Sequence, residues 1–256
     1  TPGAVDVLDP GGLDATDVVF GQASARCGQA VLDWLALADR LGRAGQVRAT
    51  IMAPVDSTAI RMTGAMQELD DLQPPGTWLL RVSGALRVVP IAEHVLMRHV
   101  PATVTRAAVG ALIRLADQTL RSYGLSAPRI AVAGLNPHAM GPEEESELKP
   151  AVADACAAGI DARGPISPDA VFRQCLEGRH DVVVSLYHDQ GQIALKTAAF
   201  AGACSIFIGL PYVHLSIPHG SAYDIAGLNR AQHQSMLSAM RTAAALAAGR
   251  GFLADA

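Results

Sequence analysis

The sequence predicts an α/β fold built on a largely buried sheet. Short apolar runs, such as 129–135 and 181–187, alternate with longer stretches whose apolar residues recur at helical spacing. The runs are rich in Val, Ile, Leu and Ala and do not alternate with polar residues, as expected of strands covered on both faces. The motifs able to carry chemistry follow the runs directly, at the strand ends where open α/β sheets hold their ligands.

The elements follow in order. Ala30, Val31, Trp34, Leu35, Ala38 and Leu41 mark a helix over 24–45, with Ser24 as N-cap. Residues 47–55 form a short buried strand that ends near Pro54. Runs 78–82 and 86–91 flank Gly84 and read as adjacent strands. An amphipathic helix spans 103–123, starting at Thr103 or Thr105 and stopping at Gly124. A strand over 129–135 precedes a helix over 143–158, whose acidic first turn suits the helix dipole. Apolar strands over 181–187 and 204–210 and an Ala-rich closing helix over 229–248 complete the chain.

Composition excludes several classes. The 256 residues are half hydrophobic and only 17% charged, which argues against global disorder. A net charge of −4 speaks against a nucleic-acid or anionic-membrane partner. No apolar stretch reaches the roughly 20 residues a membrane helix needs, and the N-terminus shows no signal peptide. Cys27, Cys156, Cys175 and Cys204 are far apart without a CxxC, so buried reduced thiols in a cytoplasmic protein are expected.

Three histidines stand at element ends: His99 before a helix, His138 after the 129–135 strand, His188 after the 181–187 strand. Three neutral imidazoles bind a borderline divalent metal and leave positions open for substrate. Taken singly, each is better read as an ordinary histidine, the reading kept for His94, His180 and His233. Asp189 is either a helix cap or a carboxylate beside a metal ligand, Asp169 another cap, and Lys196 a surface charge. The run His219-Gly220-Ser221-Ala222-Tyr223-Asp224-Ile225-Ala226-Gly227 is turn chemistry leading into a helix start, with small residues where backbone approaches a flat or anionic group. No GxGxxG follows a strand, so a Rossmann domain is not expected.

That run resembles the cofactor loop of isocitrate and isopropylmalate dehydrogenases. With Asn136-Pro137-His138-Ala139 and Tyr187-His188-Asp189-Gln190-Gly191, it resembles the 4-hydroxythreonine-4-phosphate dehydrogenase family from about Asp17 onward. The resemblance implies a two-lobed fold with a cleft between lobes: 1–62 plus 207–256 in one lobe, 63–206 in the other. It implies a metal held by His99, His138 and His188, zinc before magnesium, cobalt or manganese. It implies catalytic or substrate roles for Lys196, Asp189 and Asp169, and a nicotinamide cofactor on His219, Gly220, Ser221, Ala222, Asp224, Ile225, Ala226 and Gly227. NAD is favoured over NADP because no basic residue directly follows Asp224. A homodimer sharing its site across the interface is also implied.

Three departures qualify the resemblance. The family's earlier strand and its Gly-Asp-Pro loop have no counterpart here, so a longer natural chain is expected. The family's Thr-Gly-His-Thr-Glu motif reads Thr63-Gly64-Ala65-Met66-Gln67, and the phosphate-site Asn and Arg fall at Ser205 and His214. Loss of Arg removes the fork that suits a phosphate. The expectation is therefore an NAD- and metal-dependent oxidative decarboxylase of a non-phosphorylated hydroxy acid, of the terephthalate dihydrodiol type. The alternatives are oxidation of 4-hydroxythreonine 4-phosphate or a related four-carbon sugar-acid phosphate, and a catalytically silent member.

Overall fold

The computed structural model describes residues 6–65, 72–198, 204–217 and 219–252. Met66 and Gln67 of the altered motif and Pro218 lie outside them. In chain order the elements are α1 (Ala25–Arg43), β1 (Ala49–Met52), α2 (Ser57–Arg61), β2 (Trp78–Ser83), β3 (Leu86–Ala92), α3 (Val100–Thr103) and α4 (Arg106–Ser122). There follow β4 (Arg129–Ala133), α5 (Lys149–Ala157), β5 (Asp161–Ile166), α6 (Val171–Leu176), β6 (Val182–Tyr187), α7 (His188–Ala198), β7 (Cys204–Ile208), β8 (Val213–Ser216) and α8 (Gln234–Ala247).

The caps expected for the first long helices are present. Ser24 accepts from Cys27 N–H and Thr105 from Ala108 N–H, each satisfying a donor the helix start leaves orphaned. The helix expected over 143–158 is instead a π-turn, Glu144–Leu148, followed by α5. Pro150 has no N–H to return to the turn before it, and the wider spacing absorbs that loss. The closing helix starts at Gln234, later than expected, and β5, α6, α7 and β8 are additions to the sequence reading.

All eight strands form one mixed sheet in the order β1-β8-β7-β2-β3-β6-β4-β5. Side chains alternate across it. Ile130, Val132, Val182, Val184, Ile206 and Leu215 join the larger core with Leu112 and Leu120 of α4 and Leu246 of α8. Ala131, Ala133 and Val183 face Val171 and Phe172 of α6 and Leu195 of α7. Both faces are covered, which is why these strands read as continuous apolar runs. The lobe boundary expected at 206/207 falls inside β7, which pairs with β2 on one side and β8 on the other. Two of the four thiols depart from expectation: Cys27 is half-buried and Cys156 exposed, and all four are free.

Strand direction positions the candidate site. β3, β6, β4 and β5 run parallel to one another, while β2 is antiparallel to β3. β7 is antiparallel to both β2 and β8, and β1 is parallel to β8. The chain therefore leaves β3, β6 and β4 at one end of the sheet and leaves β8 at the other.

Candidate functional site

At the β3/β6/β4 end, adjacent strands deliver chemistry-bearing residues side by side. Ala92 pairs with Tyr187, so residues 93–94 and 188–189 emerge next to one another. One ligand atom each from Glu93, His94 and His188 lies within 4.8 Å of the others. The imidazoles of His94 and His188 are 5.1 Å apart, centre to centre. Both line a cavity of about 190 Å³ with Glu93, Val95, Met97, Tyr187 and Asp189. His188 Nδ1 lies 2.8 Å from Asp189 Oδ1. An ionised carboxylate only accepts, so Nδ1–H donates and the Nε2 lone pair is left for a ligand.

His138 arrives from the end of β4 in a tightly held turn. It and Ala139 adopt left-handed φ of 58° and 54°, a conformation that costs energy in a non-glycine residue and is held by its surroundings. Those surroundings are explicit. Glu144 Oε1 accepts from the backbone N–H groups of Leu135 (2.7 Å) and Asn136 (2.8 Å), and Oε2 from Asn136 Nδ2 (2.7 Å). Burial by itself would raise the Glu144 carboxyl, but the Asn136 and Leu135 donors outweigh it and hold it below its ordinary value. A Cβ on Gly141 would stand 2.2 Å from Asn136 Nδ2, so only glycine lets the turn close. Gln190 ties this turn to the His188 helix: its Oε1 accepts from Leu186 N–H and its Nε2 donates to Gly134 C=O, at 2.8 and 2.9 Å.

Asp169 is exposed, accepts from Ser167 Oγ and feels His138 nearby; these hold its carboxyl below the usual value, the Ser167 bond foremost. His99 goes elsewhere. It is exposed in the turn Met97–His99, with Nε2 accepting from Arg98 Nε at 3.2 Å. The structure thus groups His188 with His94 and Glu93, and both His99 and His138 lie outside that group. A signal in the sequence pointed that way: His94 follows the β3 run almost directly, as His188 follows β6, whereas His99 stands before a helix.

Of the remaining candidates, Lys196, Ser205 and the turn beyond β8 lie toward the other end, whereas His214 opens β8 level with Phe207. α7 runs back along β6, so Lys196 in its last turn stands about 12 Å along the helix axis from His188. Beyond β8, Ala222 takes a left-handed φ of 51° and begins a tight turn, Tyr223–Ile225. Gly220, Ala222 and Asp224 are exposed there, and nothing lies within 4 Å of where a Cβ on Gly220 would be. Ile225 and Ala226 are half-buried, Gly227 touches the exposed Phe20, and His219 Nδ1 approaches Gly220 C=O at 3.4 Å. Ser205 pairs with Ser216 between β7 and β8. His214 is buried, its Nδ1 2.7 Å from Thr50 Oγ1 and its ring 4.8 Å from that of Phe207. Burial pushes its pKa down to about 4, so it is neutral near pH 7.

The family model "Pyridoxal phosphate biosynthetic protein PdxA" matches residues 2–243. A Novosphingobium aromaticivorans protein provisionally named a 4-hydroxythreonine-4-phosphate dehydrogenase is 42% identical, over 98% of this chain and 76% of that one. The D-threonate 4-phosphate dehydrogenase of Salmonella typhimurium is 35% identical, over 96% of this chain and 79% of its own. The solved terephthalate 1,2-cis-dihydrodiol dehydrogenase of Burkholderia xenovorans LB400 superposes with a TM-score of 0.75 at 31% identity, over 99% and 83%. A β-decarboxylating dehydrogenase from Thermococcus kodakarensis shares the fold alone, at a TM-score of 0.51, 16% identity and coverage of 82% and 67%. The expected dehydrogenase-type α/β fold is present. The expected preference for a dihydrodiol is not what the likenesses favour, since the relatives named for phosphate esters are more similar. On the extent of the family match and the identity to its relatives, the chain belongs to the family of the pyridoxal phosphate biosynthetic protein PdxA.

Proposed function

We propose that this chain is a metal-dependent dehydrogenase that oxidises a hydroxyl of a four-carbon hydroxy-acid phosphate, with hydride passing to NAD and carbon dioxide then lost. The observation that carries the reading is the meeting of His94 and His188 at the adjacent ends of β3 and β6, with Asp189 fixing the His188 tautomer. An imidazole-rich donor set beside a carboxylate suits zinc or another borderline divalent ion. His94 takes the place expected for His99, and His138 is the further imidazole on the neighbouring strand end. A bound divalent cation would polarise the reacting hydroxyl and lower its pKa.

The chain's own residues supply the rest. Asp189 holds the His188 ring, and Asp169 is an exposed carboxylate near His138 able to accept a proton. Lys196 offers a cation to an anionic substrate group. The backbone around Gly220 and Ser221 would hold the cofactor, and Asp224 would accept from a ribose hydroxyl. Lys196 and the Gly220–Asp224 turn lie toward the opposite end of the sheet from His94 and His188. That supports a homodimer in which a second copy completes each site, as do the exposed Leu96, Met97 and Met140 close in sequence to His94 and His138.

A second reading, a non-phosphorylated dihydrodiol dicarboxylate, is favoured by one observation: His214, where the family places its phosphate-site Arg, is buried and neutral. NADH formation by metal-loaded protein decides between the two. 4-Hydroxythreonine 4-phosphate, D-threonate 4-phosphate and a cis-dihydrodiol dicarboxylate are offered side by side. Turnover of a phosphate ester, lost in His188→Ala, supports the first reading; turnover of the diol alone replaces it with the second. No turnover of any of them removes both.

A further inference from the structure

Glu93 sits between two partners of different kinds. On one side Arg81 clamps it, with Nη1 donating to Oε1 at 2.7 Å and Nη2 to Oε2 at 2.8 Å. The clamp is sheltered, with side-chain exposures of 10% for Arg81 and 13% for Glu93. On the other side the same carboxylate lines the cavity shared by His94, His188 and Asp189, within 4.8 Å of ligand atoms of both imidazoles.

We propose that Glu93 is a carboxylate donor of the cation site, held in place by Arg81. The inference rests on the metal-dependent reading above and adds to it a ligand outside the three expected histidines. Each carboxylate oxygen has two lone pairs, and the clamp uses one on each, so a free lone pair remains toward the imidazoles. A ligand carboxylate is ordinarily fixed by hydrogen bonds behind it, and a bidentate guanidinium does this with little freedom left over. A purely structural role accounts less well for the pair. Sheltered ion pairs contribute little net stability compared with apolar residues of similar volume. β2 and β3 are already joined through the Arg81↔Val88, Val82↔Arg87 and Ser83↔Leu86 pairs. A carboxylate among neutral imidazoles also supplies the negative charge that a divalent ion seeks, and Arg81 offsets that charge while the ion is absent.

The test is titration of Co²⁺ alone into chelator-treated protein, followed by visible ligand-field absorption and by calorimetry. Glu93→Gln keeps the size and an acceptor oxygen facing Arg81 but loses the charge. It is expected to weaken Co²⁺ binding at least tenfold and to shift the absorption bands. Arg81→Met is expected to weaken binding by roughly 10–100-fold, as loss of a group that orients a ligand does. Should Arg81→Met fail to fold, the double variant Arg81→Met/Glu93→Met removes both sheltered charges and is expected to bind as weakly as Glu93→Gln. Wild-type affinity and spectrum in Glu93→Gln overturn the proposal. The variant His94→Ala/His188→Ala checks the reading beneath it: if that variant still binds Co²⁺ like the wild type, the cation site itself is misplaced.

Discussion

His188 and His214 are the same residue type on two strands of one sheet, and their surroundings give them opposite fates. His188 opens onto a cavity, its Nδ1 bonded to an exposed carboxylate and its other nitrogen free for a ligand. His214 is packed among Thr50, Phe207 and Tyr212, its pKa pushed to about 4. Tyr212 in turn donates to Asp39 at 2.8 Å, extending the polar network to the α1 surface. The lesson is that burial and partners, rather than residue type, separate a histidine open to a cavity from one packed into the structure.

Four measurements would break or sharpen this contrast. The largest effect is expected for His188→Ala. NADH formation should fall by more than the roughly 10–100-fold typical of losing an outer-sphere partner of a metal; near-normal turnover would place the chemistry elsewhere. His214 comes next, read through pH. Its folded pKa lies below the ordinary 6.5, so the folded protein binds fewer protons than the unfolded chain between about 4 and 6.5. Its contribution is complete above pH 6.5 and is lost as pH falls toward 4, by about 3 kcal/mol. Urea denaturation across this window should show a steeper loss for wild type than for His214→Phe, and parallel curves would mean that His214 titrates normally.

A third effect, of about 1–3 kcal/mol, is expected for Gly191→Ala. The new methyl would stand 2.6 Å from Val88 Cγ1 and 3.0 Å from Ser185 Oγ, lifting α7 from the sheet. Thermal unfolding measures the loss, and an unchanged midpoint would show that α7 has room to shift. The smallest effect belongs to the exposed pair Arg43–Asp39, at 2.8 Å and four residues apart on α1. Arg43→Ala should lower the urea midpoint only slightly, and less at high salt. A drop as large as that of Gly191→Ala in the same denaturation assay would mean that Arg43 supports the Tyr212–Asp39 bond beneath it.

The sequence by itself determined the strands with apolar cores, because residues covered on both faces are largely apolar, as in Val182–Val184 and Ile130–Ala133. It determined the starts of α1 and α4, because a cap bonds to a backbone donor three residues away and needs no distant partner. It also pointed to His138 and His188, which stand directly beyond apolar runs. Only the tertiary structure decided that His94 rather than His99 joins His188. That choice depends on the parallel pairing of β3 with β6, segments almost a hundred residues apart, which no local pattern encodes. The same holds for Glu93, whose meaning comes from Arg81 across the sheet, and for Glu144 and Gln190, whose bonds to neighbouring strand ends hold the His138 turn. The four-residue strand β8 escaped notice because His214 interrupts its apolar run, and only pairing with β1 and β7 makes it a strand. Local preferences choose elements over a few residues. The site forms where the sheet joins distant ones, and long-range hydrogen bonding sets which of them meet.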